Sequence, residues 1–364
     1  MTSPTEGGTR RRALVVGTGL IGGSIALGLR RRGWHVSGLD VDEAHAREAL
    51  EREAVDAVGD DPDAEIVFVA VPATSVARVV RDLLADPGRR PDAVVSDVSG
   101  VKTAIVTEAD DPRFVGGHPM AGSEQIGLHG ADPDLFEGAV WVLTPTPATD
   151  LEAFDRLKGV VMSLGADVLV LSAEDHDRLV AVVSHVPHLV AATLMNAASA
   201  GAEQDGALLR LAAGGFRDMT RIAASAPGIW SDICVANGDA IVRALDDYLA
   251  ALERVRALLV DADDAGLLAL LERGRVARRN LPIGVPPAAE LVELRVPVRD
   301  RPGVLAEVTT LAGRLDVNIV DVEIAHSLEG RSGVLVLVVP AGGADDFEAA
   351  LVGHGYHVSR TALS

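Results

Sequence analysis

"ALVVGTGLIGGSIALGLRRRGWHVSGLDVD", residues 13–42, decides the fold. An apolar run is followed by Gly17, Gly19 and Gly22 in G-x-G-x-x-G spacing, then by a helical pattern, then by a second apolar run that ends on Asp40. In that setting each glycine has a distinct task. Gly17 permits the tight turn, Gly19 lets a pyrophosphate approach the backbone, and Gly22 allows the helix to sit close to the strand. The helix opens at Leu20 and Ile21, where free N–H groups and the helix dipole favour phosphate. Asp40 lies 21 residues beyond Gly19, the place of the acid that accepts ribose hydroxyls and repels a 2′-phosphate, so NAD is expected rather than NADP. The bare glycine pattern would also fit a structural turn; the strand, helix, strand and acid around it favour the dinucleotide. Arg30, Arg31 and Arg32 read as cations complementing the helix C-terminus.

Outward from this stretch, short apolar runs keep alternating with helical segments: EIVFVAVP, DAVVSDV, RFVGG, AVWVLTP and ADVLVLS, with helices near 42–51, 74–85 and 101–108. The alternation predicts βαβ units in a parallel sheet with helices on both faces, carried to about residue 172. Residues 1–12 read as a frayed tail. From Ala173 to about Asn280 long Ala/Leu/Val-rich helical patterns replace the strands, too apolar for one amphipathic stripe, which points to burial in a subunit interface. NLPIGVPPAAE then reads as a linker. Behind it the order βαββαβ matches a small ferredoxin-like domain. The expected fold class is therefore α/β: a Rossmann domain over 1–172, an all-helical domain over 173–285 and a ferredoxin-like domain over 286–364.

With 364 residues, two or three domains are expected. A formal charge of −20 argues against nucleic acid or an anionic membrane as partner, so an anionic substrate would need a locally basic site. The single cysteine, Cys234, excludes an internal disulfide framework, reads as a small packed side chain, and fits a cytoplasmic setting. No uninterrupted apolar run reaches ~18 residues, and MTSPTEGGTRRR lacks the apolar stretch of a signal peptide.

GGHPMAGSEQIG, residues 116–127, frames His118 between two glycines and Pro119, which pushes His118 toward extended geometry. Gly116 and Gly117 read as positions where the backbone turns without a Cβ clash. Taken alone, such a histidine is an ordinary strand-end group. At the C-terminal end of a sheet strand beside a nicotinamide, an imidazole titrating near ~6.5 is suited to accept a proton or hydrogen bond from a hydroxyl. SHVPH supplies His185 and His188, and GGFRDMTRIAASAPGIW supplies Arg217, Asp218, Arg221 and Trp230. Arg217 and Arg221, four apart on one helix face, make either a basic binding patch or a solvated, ion-paired face.

Through GxGxxG with Asp40, HPMAG, SHVPH and GGFRDMTRIA with a following Trp, residues 13–282 resemble the prephenate/arogenate dehydrogenases of tyrosine biosynthesis. The resemblance implies a Rossmann domain followed by a helical dimerisation domain, a homodimer, and NAD-dependent oxidative decarboxylation of prephenate to 4-hydroxyphenylpyruvate, or of arogenate directly to tyrosine. By position it makes His118 the histidine that takes a hydrogen bond from the ring hydroxyl and Arg221 the anchor of a substrate carboxylate, for which a guanidinium fork is suited. His188 and Arg217 fall at substrate-pocket positions, Ser123 and Glu124 at an active-site Ser–acid pair, and Trp230 at an aromatic reaching the pocket from this subunit or its partner, with plain core as the alternative. One departure matters: D-x-G-S-x-K is DVSGVK here, so the serine expected beside the histidine falls on Gly100, and Ser99, one place early, is the substitute, unless water or backbone takes the role. No metal site is expected.

Residues 286–364 resemble an ACT domain, marked by VRDRPGVLAEVTTLAGRLDVNI. That resemblance implies an aromatic amino-acid effector, tyrosine before phenylalanine, at Asp300, Arg301, Pro302, Gly303, Val304 and Leu305, with Asn318 on the second strand, and with Pro302 opening the helix. A ligand-free dimerisation module is the alternative. Two rival readings of the whole chain are weaker: a β-hydroxyacid dehydrogenase, which needs a catalytic lysine where none follows Lys158, and a catalytically silent amino-acid sensor, disfavoured by the filled histidine and arginine positions.

Overall fold

The computed structural model describes residues 10–122, 125, 127–225, 227–281, 291–299, 301–326 and 332–363. Two compact units divide the chain, residues 1–251 and 252–364.

In the first unit the strands β1 (Arg12–Val16), β2 (His35–Leu39), β3 (Ala57–Val58), β4 (Ile66–Val69) and β5 (Val94–Asp97) form a parallel sheet in the order β3-β2-β1-β4-β5. Helices α1 (Leu20–Arg31), α2 (Glu43–Glu51), α3 (Ala73–Ala85) and α4 (Thr103–Glu108) connect them. Strand alternation sends side chains to opposite faces, and both faces are buried here. Ala13, Val15, Ile66 and Phe68 enter a core with α1, whereas Leu14, Val16, Val67 and Val69 enter a second core with α3 and α4. Two buried faces explain why these strands read as continuous apolar runs. The order reverses between β1 and β4, which opens a crevice at their C-terminal ends.

The three later strands depart from the parallel expectation. Val115 N–H donates to the Val95 carbonyl at 3.0 Å, so the chain enters β6 (Gly116–Pro119) alongside β5. Next comes β7 (Val140–Thr144), which runs antiparallel to β6, then α5 (Leu151–Ser163) and β8 (Asp167–Val170), parallel to β7. Among its described residues the β6–β7 connection carries only a short helical turn, Leu128–Gly130, and no crossover helix, so the chain returns in the opposite direction. Nor is the N-terminus frayed throughout: Arg12 begins β1 and pairs with Asp61 at 2.8 Å, and Arg11 lies 4.0 Å over the Trp34 ring.

The helical segment contributes α6 (Ala173–Val180), a π turn (Ala181–His185), α7 (Val186–Gln204), α8 (Gly214–Thr220), α9 (Pro227–Ala236) and α10 (Gly238–Val260), the last crossing the unit boundary. The π turn falls just before Pro187, whose ring would collide with the Val183 carbonyl in a regular α-helix and which lacks an N–H, so the helix widens there. The run Ala173–Glu203, with hydropathy 1.5, is long and apolar enough by length and composition to cross a membrane, contrary to expectation. Counting uninterrupted apolar residues missed it because polar residues are scattered through it, and several of those belong to the site below.

The second unit holds α11 (Asp264–Arg279) and the sequence β9 (Leu291–Arg299), α12 (Val304–Arg314), β10 (Asp321–His326), β11 (Ser332–Pro340), α13 (Ala341–Gly353) and β12 (Ser359–Leu363). Its antiparallel sheet has the order β10-β11-β9-β12, the ferredoxin-like arrangement, over a core that includes Leu294, Val308, Leu337 and Phe347.

Candidate active site

Gly17 has φ +94°, and a Cβ there would lie 2.3 Å from the Ala70 carbonyl oxygen; at Gly22 it would lie 1.9 Å from the Gly17 oxygen. Gly19, the N-cap of α1, has open space where its Cβ would be. These three positions leave a cavity of about 810 Å³, lined by Gly17, Thr18, Gly19, Asp40, Val71 and Leu128 among others. Leu20 and Ile21 open α1 at its edge. Asp40 accepts hydrogen bonds from Thr18 N–H at 2.8 Å and Asp42 N–H at 3.0 Å, which fixes its carboxylate against the cavity. A glycine turn with open space at Gly19, and an acid at the end of the second strand, fits a dinucleotide.

At the same sheet edge, β6 presents His118 opposite Val142. Gly116 and Gly117 do not turn the chain as expected: both are extended strand residues without positive φ, and both are buried. Their missing side chains serve packing instead. A Cβ on Gly116 would meet Thr144 Oγ1 at 2.4 Å; one on Gly117 would meet the Asp97 carbonyl at 2.7 Å and Ser96 Oγ at 2.8 Å. Beneath them Lys102, fully buried, pairs with Asp97 and donates to the Gly117 carbonyl at 2.8 Å, while Gly117 N–H donates to Asp97 at 3.1 Å. One buried ion pair thereby clamps the strand that carries the imidazole.

Behind His118 stands a pair absent from the expectations drawn above. His118 Nδ1 lies 2.8 Å from His176 Nε2, with the rings edge-on at 72°, and His176 Nδ1 lies 2.8 Å from Asp177 Oδ1. Asp177 also accepts the N–H groups of Lys102 and Thr103, each at 2.8 Å. Burial alone would raise its carboxyl, but the His176 and backbone hydrogen bonds hold it below the usual range. Burial, joined by the nearby His176, Lys102 and His185, holds His118 well below the ordinary histidine value, so its ring is neutral at pH 7. His185 is pushed down to about 4, chiefly by burial, and its Nδ1 is 3.2 Å from Asn237 Nδ2.

The remaining expected residues are placed as follows. Ser99 is buried, its Oγ 3.4 Å from Val101 N–H in its own turn. It is Gly100 that borders the imidazole: a Cβ there would lie 3.7 Å from His118 Nε2 and 3.8 Å from Ile233 on α9. One turn before Ile233, Trp230 stacks on His188, centroids 3.6 Å apart and planes at 6°. His188 is buried, burial holds its pKa down, and its Nδ1 has no hydrogen-bond partner among the described residues. Arg217 lies in the middle of α8 and Arg221 begins the short helical turn after it; both are exposed, on elements that contact α7. Ser123 and Glu124 lie outside the described residues, as do Asp300 and most of the predicted linker. In the second unit Gly303, with φ +91°, caps α12, so Pro302 stands before the cap rather than opening the helix. Arg301 pairs with Glu307 at 2.7 Å, Val304 is buried, and Leu305 is exposed. Asn318 is exposed and precedes β10 instead of lying on it.

A dinucleotide cradle at a sheet switch point, an imidazole on strand β6 and a helical segment following them define the class: Rossmann-fold dehydrogenases with a helical second domain. Family models match over three stretches: the prephenate dehydrogenase nucleotide-binding domain at 25–170, the prephenate dehydrogenase dimerization domain at 172–273 and the ACT domain at 292–351. The chain is 34% identical to the prephenate dehydrogenase of Bacillus subtilis, over 88% of this chain and 90% of that one. It therefore belongs to the prephenate dehydrogenase family. Among solved structures, the A. aeolicus prephenate dehydrogenase in complex with hydroxyphenyl propionate and NAD+ is similar with TM-score 0.70 and 30% identity, covering 75% of this chain and 99% of that one. The Synechocystis arogenate dehydrogenase is similar with TM-score 0.65 and 36% identity, covering 73% and 98%.

Proposed function

We propose that this chain is a cytoplasmic, homodimeric, NAD-dependent prephenate dehydrogenase with a Rossmann domain over 1–172, a helical substrate and dimerisation domain over 173–285 and an ACT domain over 286–364. The observation that carries the reading is His118 on strand β6, its Nδ1 2.8 Å from His176, in the same unit as the dinucleotide cradle. Gly17, Gly19, Leu20, Ile21, Gly22 and Asp40 would hold NAD, which supplies the hydride acceptor.

His118 then takes the ring hydroxyl proton at Nε2 as the carbon bearing that hydroxyl loses hydride. The ring carbon–carboxylate bond breaks, CO2 leaves, and the bonding pair completes the aromatic ring. That places negative charge on the oxygen, which recovers the proton from His118. Arg221 anchors a substrate carboxylate; Arg217, His188, Ser123, Glu124 and Trp230 line the remainder of the pocket; Ser99 supports the loop beside His118. The relatives named for prephenate and for arogenate both favour this chemistry, and arogenate, with an ammonium in place of the side-chain keto group, is the second reading. Steady-state kinetics on the two substrates side by side decide between them. Turnover of neither refutes both.

Through the ACT domain an aromatic amino acid, tyrosine first, would bind at residues 300–305 with Asn318 and favour a less active arrangement. Truncation after residue 285 is expected to leave an active enzyme that ignores tyrosine. Unchanged inhibition in the truncated form would assign the effect to competition at the active site.

A further inference from the structure

We infer that His176 and Asp177 are positioning residues that hold His118 as its Nδ1–H tautomer, leaving the Nε2 lone pair bare toward the substrate. The inference deepens the proposed function, because it concerns the base of that reaction. It follows from counting protons along one line of contacts. Asp177 accepts two backbone N–H groups at 2.8 Å, and these with the His176 contact hold its carboxyl below the usual range against burial, so it is a carboxylate. Its third contact, His176 Nδ1 at 2.8 Å, must then be an N–H donor. A neutral His176 so oriented has a lone pair at Nε2, and the 2.8 Å contact to His118 requires that His118 Nδ1 carry the hydrogen. An imidazolium at His176 would reverse the polarity and turn an N–H of His118 toward the hydroxyl. Against this, the His176 ring is 0% exposed, and the neutral ring satisfies both of its nitrogens with Asp177 as the single charge of the line.

The reaction's own balance argues for positioning over proton export. The proton that Nε2 removes from the hydroxyl returns to the same oxygen when CO2 leaves, and none is released overall. The line to Asp177 therefore need not conduct a proton to solvent. Its work is to keep the less common tautomer populated and to place a fixed negative charge behind the imidazolium while His118 holds the proton.

Long-range proton–nitrogen NMR of the ¹⁵N-histidine protein with NAD tests this directly. The expected His118 pattern is protonated Nδ1 and bare Nε2; protonated Nε2 in the wild type overturns the proposal. His176→Leu, which removes the acceptor, is expected to lower kcat by about 10²-fold with KM for the substrate within about threefold, the signature of a lost tautomer restraint rather than lost binding. His176→Gln keeps an acceptor oxygen and is expected to recover most of that loss, with unchanged NAD affinity in both variants showing an intact fold. A kcat for His176→Leu within about threefold of wild type also overturns it. If the wild type turns over neither prephenate nor arogenate, the functional reading fails and the tautomer measurement alone decides this one.

Discussion

Gly117→Ala isolates the contribution of strand packing to catalysis, because the added methyl group touches neither substrate nor cofactor. Its Cβ would sit 2.7 Å from the Asp97 carbonyl oxygen, 2.8 Å from Ser96 Oγ and 3.1 Å from Trp141 Nε1. Ordinary contact begins near 3.4 Å, so the shortest of these is deficient by about 0.7 Å, and the atom in the way is backbone that cannot rotate aside. Strand β6 must move away from β5. That motion stretches the bond from Gly117 N–H to Asp97 and the bond from Lys102 to the Gly117 carbonyl, both buried. Overpacking of this kind costs about 1–3 kcal/mol, which in a unit of this size lowers Tm by roughly 2–4 °C per kcal/mol. His118 is the next residue and moves with the strand; since ~1 Å of misplacement can cost about 10²-fold, a shift of roughly half that lowers kcat by about tenfold. Gly122→Ala is the control: nothing lies within 4 Å of its Cβ, and stability is expected to stay within about 0.5 kcal/mol. Differential scanning fluorimetry and steady-state kinetics on both variants measure the two effects. A Gly117→Ala enzyme with wild-type Tm and kcat would refute the packing account of these glycines.

Asp40→Ser removes the charge at the ribose end of the cradle and is expected to raise kcat/KM for NADP relative to NAD by about tenfold or more, read from initial rates with each cofactor. The pH profile follows from the lowered His118 value: the base is competent when neutral, so kcat/KM stays level through neutrality and below ~6.5, falling only at more acid pH as His118 takes its proton. His176, Asp177, Lys102 and His185 face that ring and set where the fall begins. An acid limb centred at or above 6.5 would contradict the burial of the imidazole. Gly100→Ser fits without collision, its Cβ 3.7 Å from His118 Nε2. It is expected to fold normally and to place a hydroxyl on the imidazole, seen as a change in kcat with Tm unaltered.

Much of this was readable along the chain, and what was not has a common cause. The turn around Gly17 and the acid at Asp40 depend on neighbours within one βαβ unit, so spacing alone expresses them. The order βαββαβ of the second unit is likewise local, as is the extended setting that Pro119 gives His118. By contrast, His118 meets His176 across 58 positions and Asp177 meets Lys102 across 75. A His–Asp dipeptide near the start of the helix after β8 is a faint signal, visible once β8 is known to end beside β7. The antiparallel β7 was hidden for a related reason: a strand's direction is set by the connection behind it, and the composition of AVWVLTP is the same either way. The packing role of the glycine pair before His118 is hidden in the same way, because the obstacles to a Cβ, Asp97 and Thr144, are remote in sequence.

The clamp beneath His118 gives the molecule a built-in reporter. Of its two lysines, Lys102 is sealed and ion-paired, while Lys158 on α5 is partly exposed. An amine-directed reagent will therefore modify Lys158 readily and Lys102 only when β5 and β6 part. The slow labelling of Lys102, followed by peptide mass spectrometry, measures the opening free energy of the strand pair that carries the imidazole, and its slowing by added cofactor would measure how strongly occupancy of the crevice is felt at that strand.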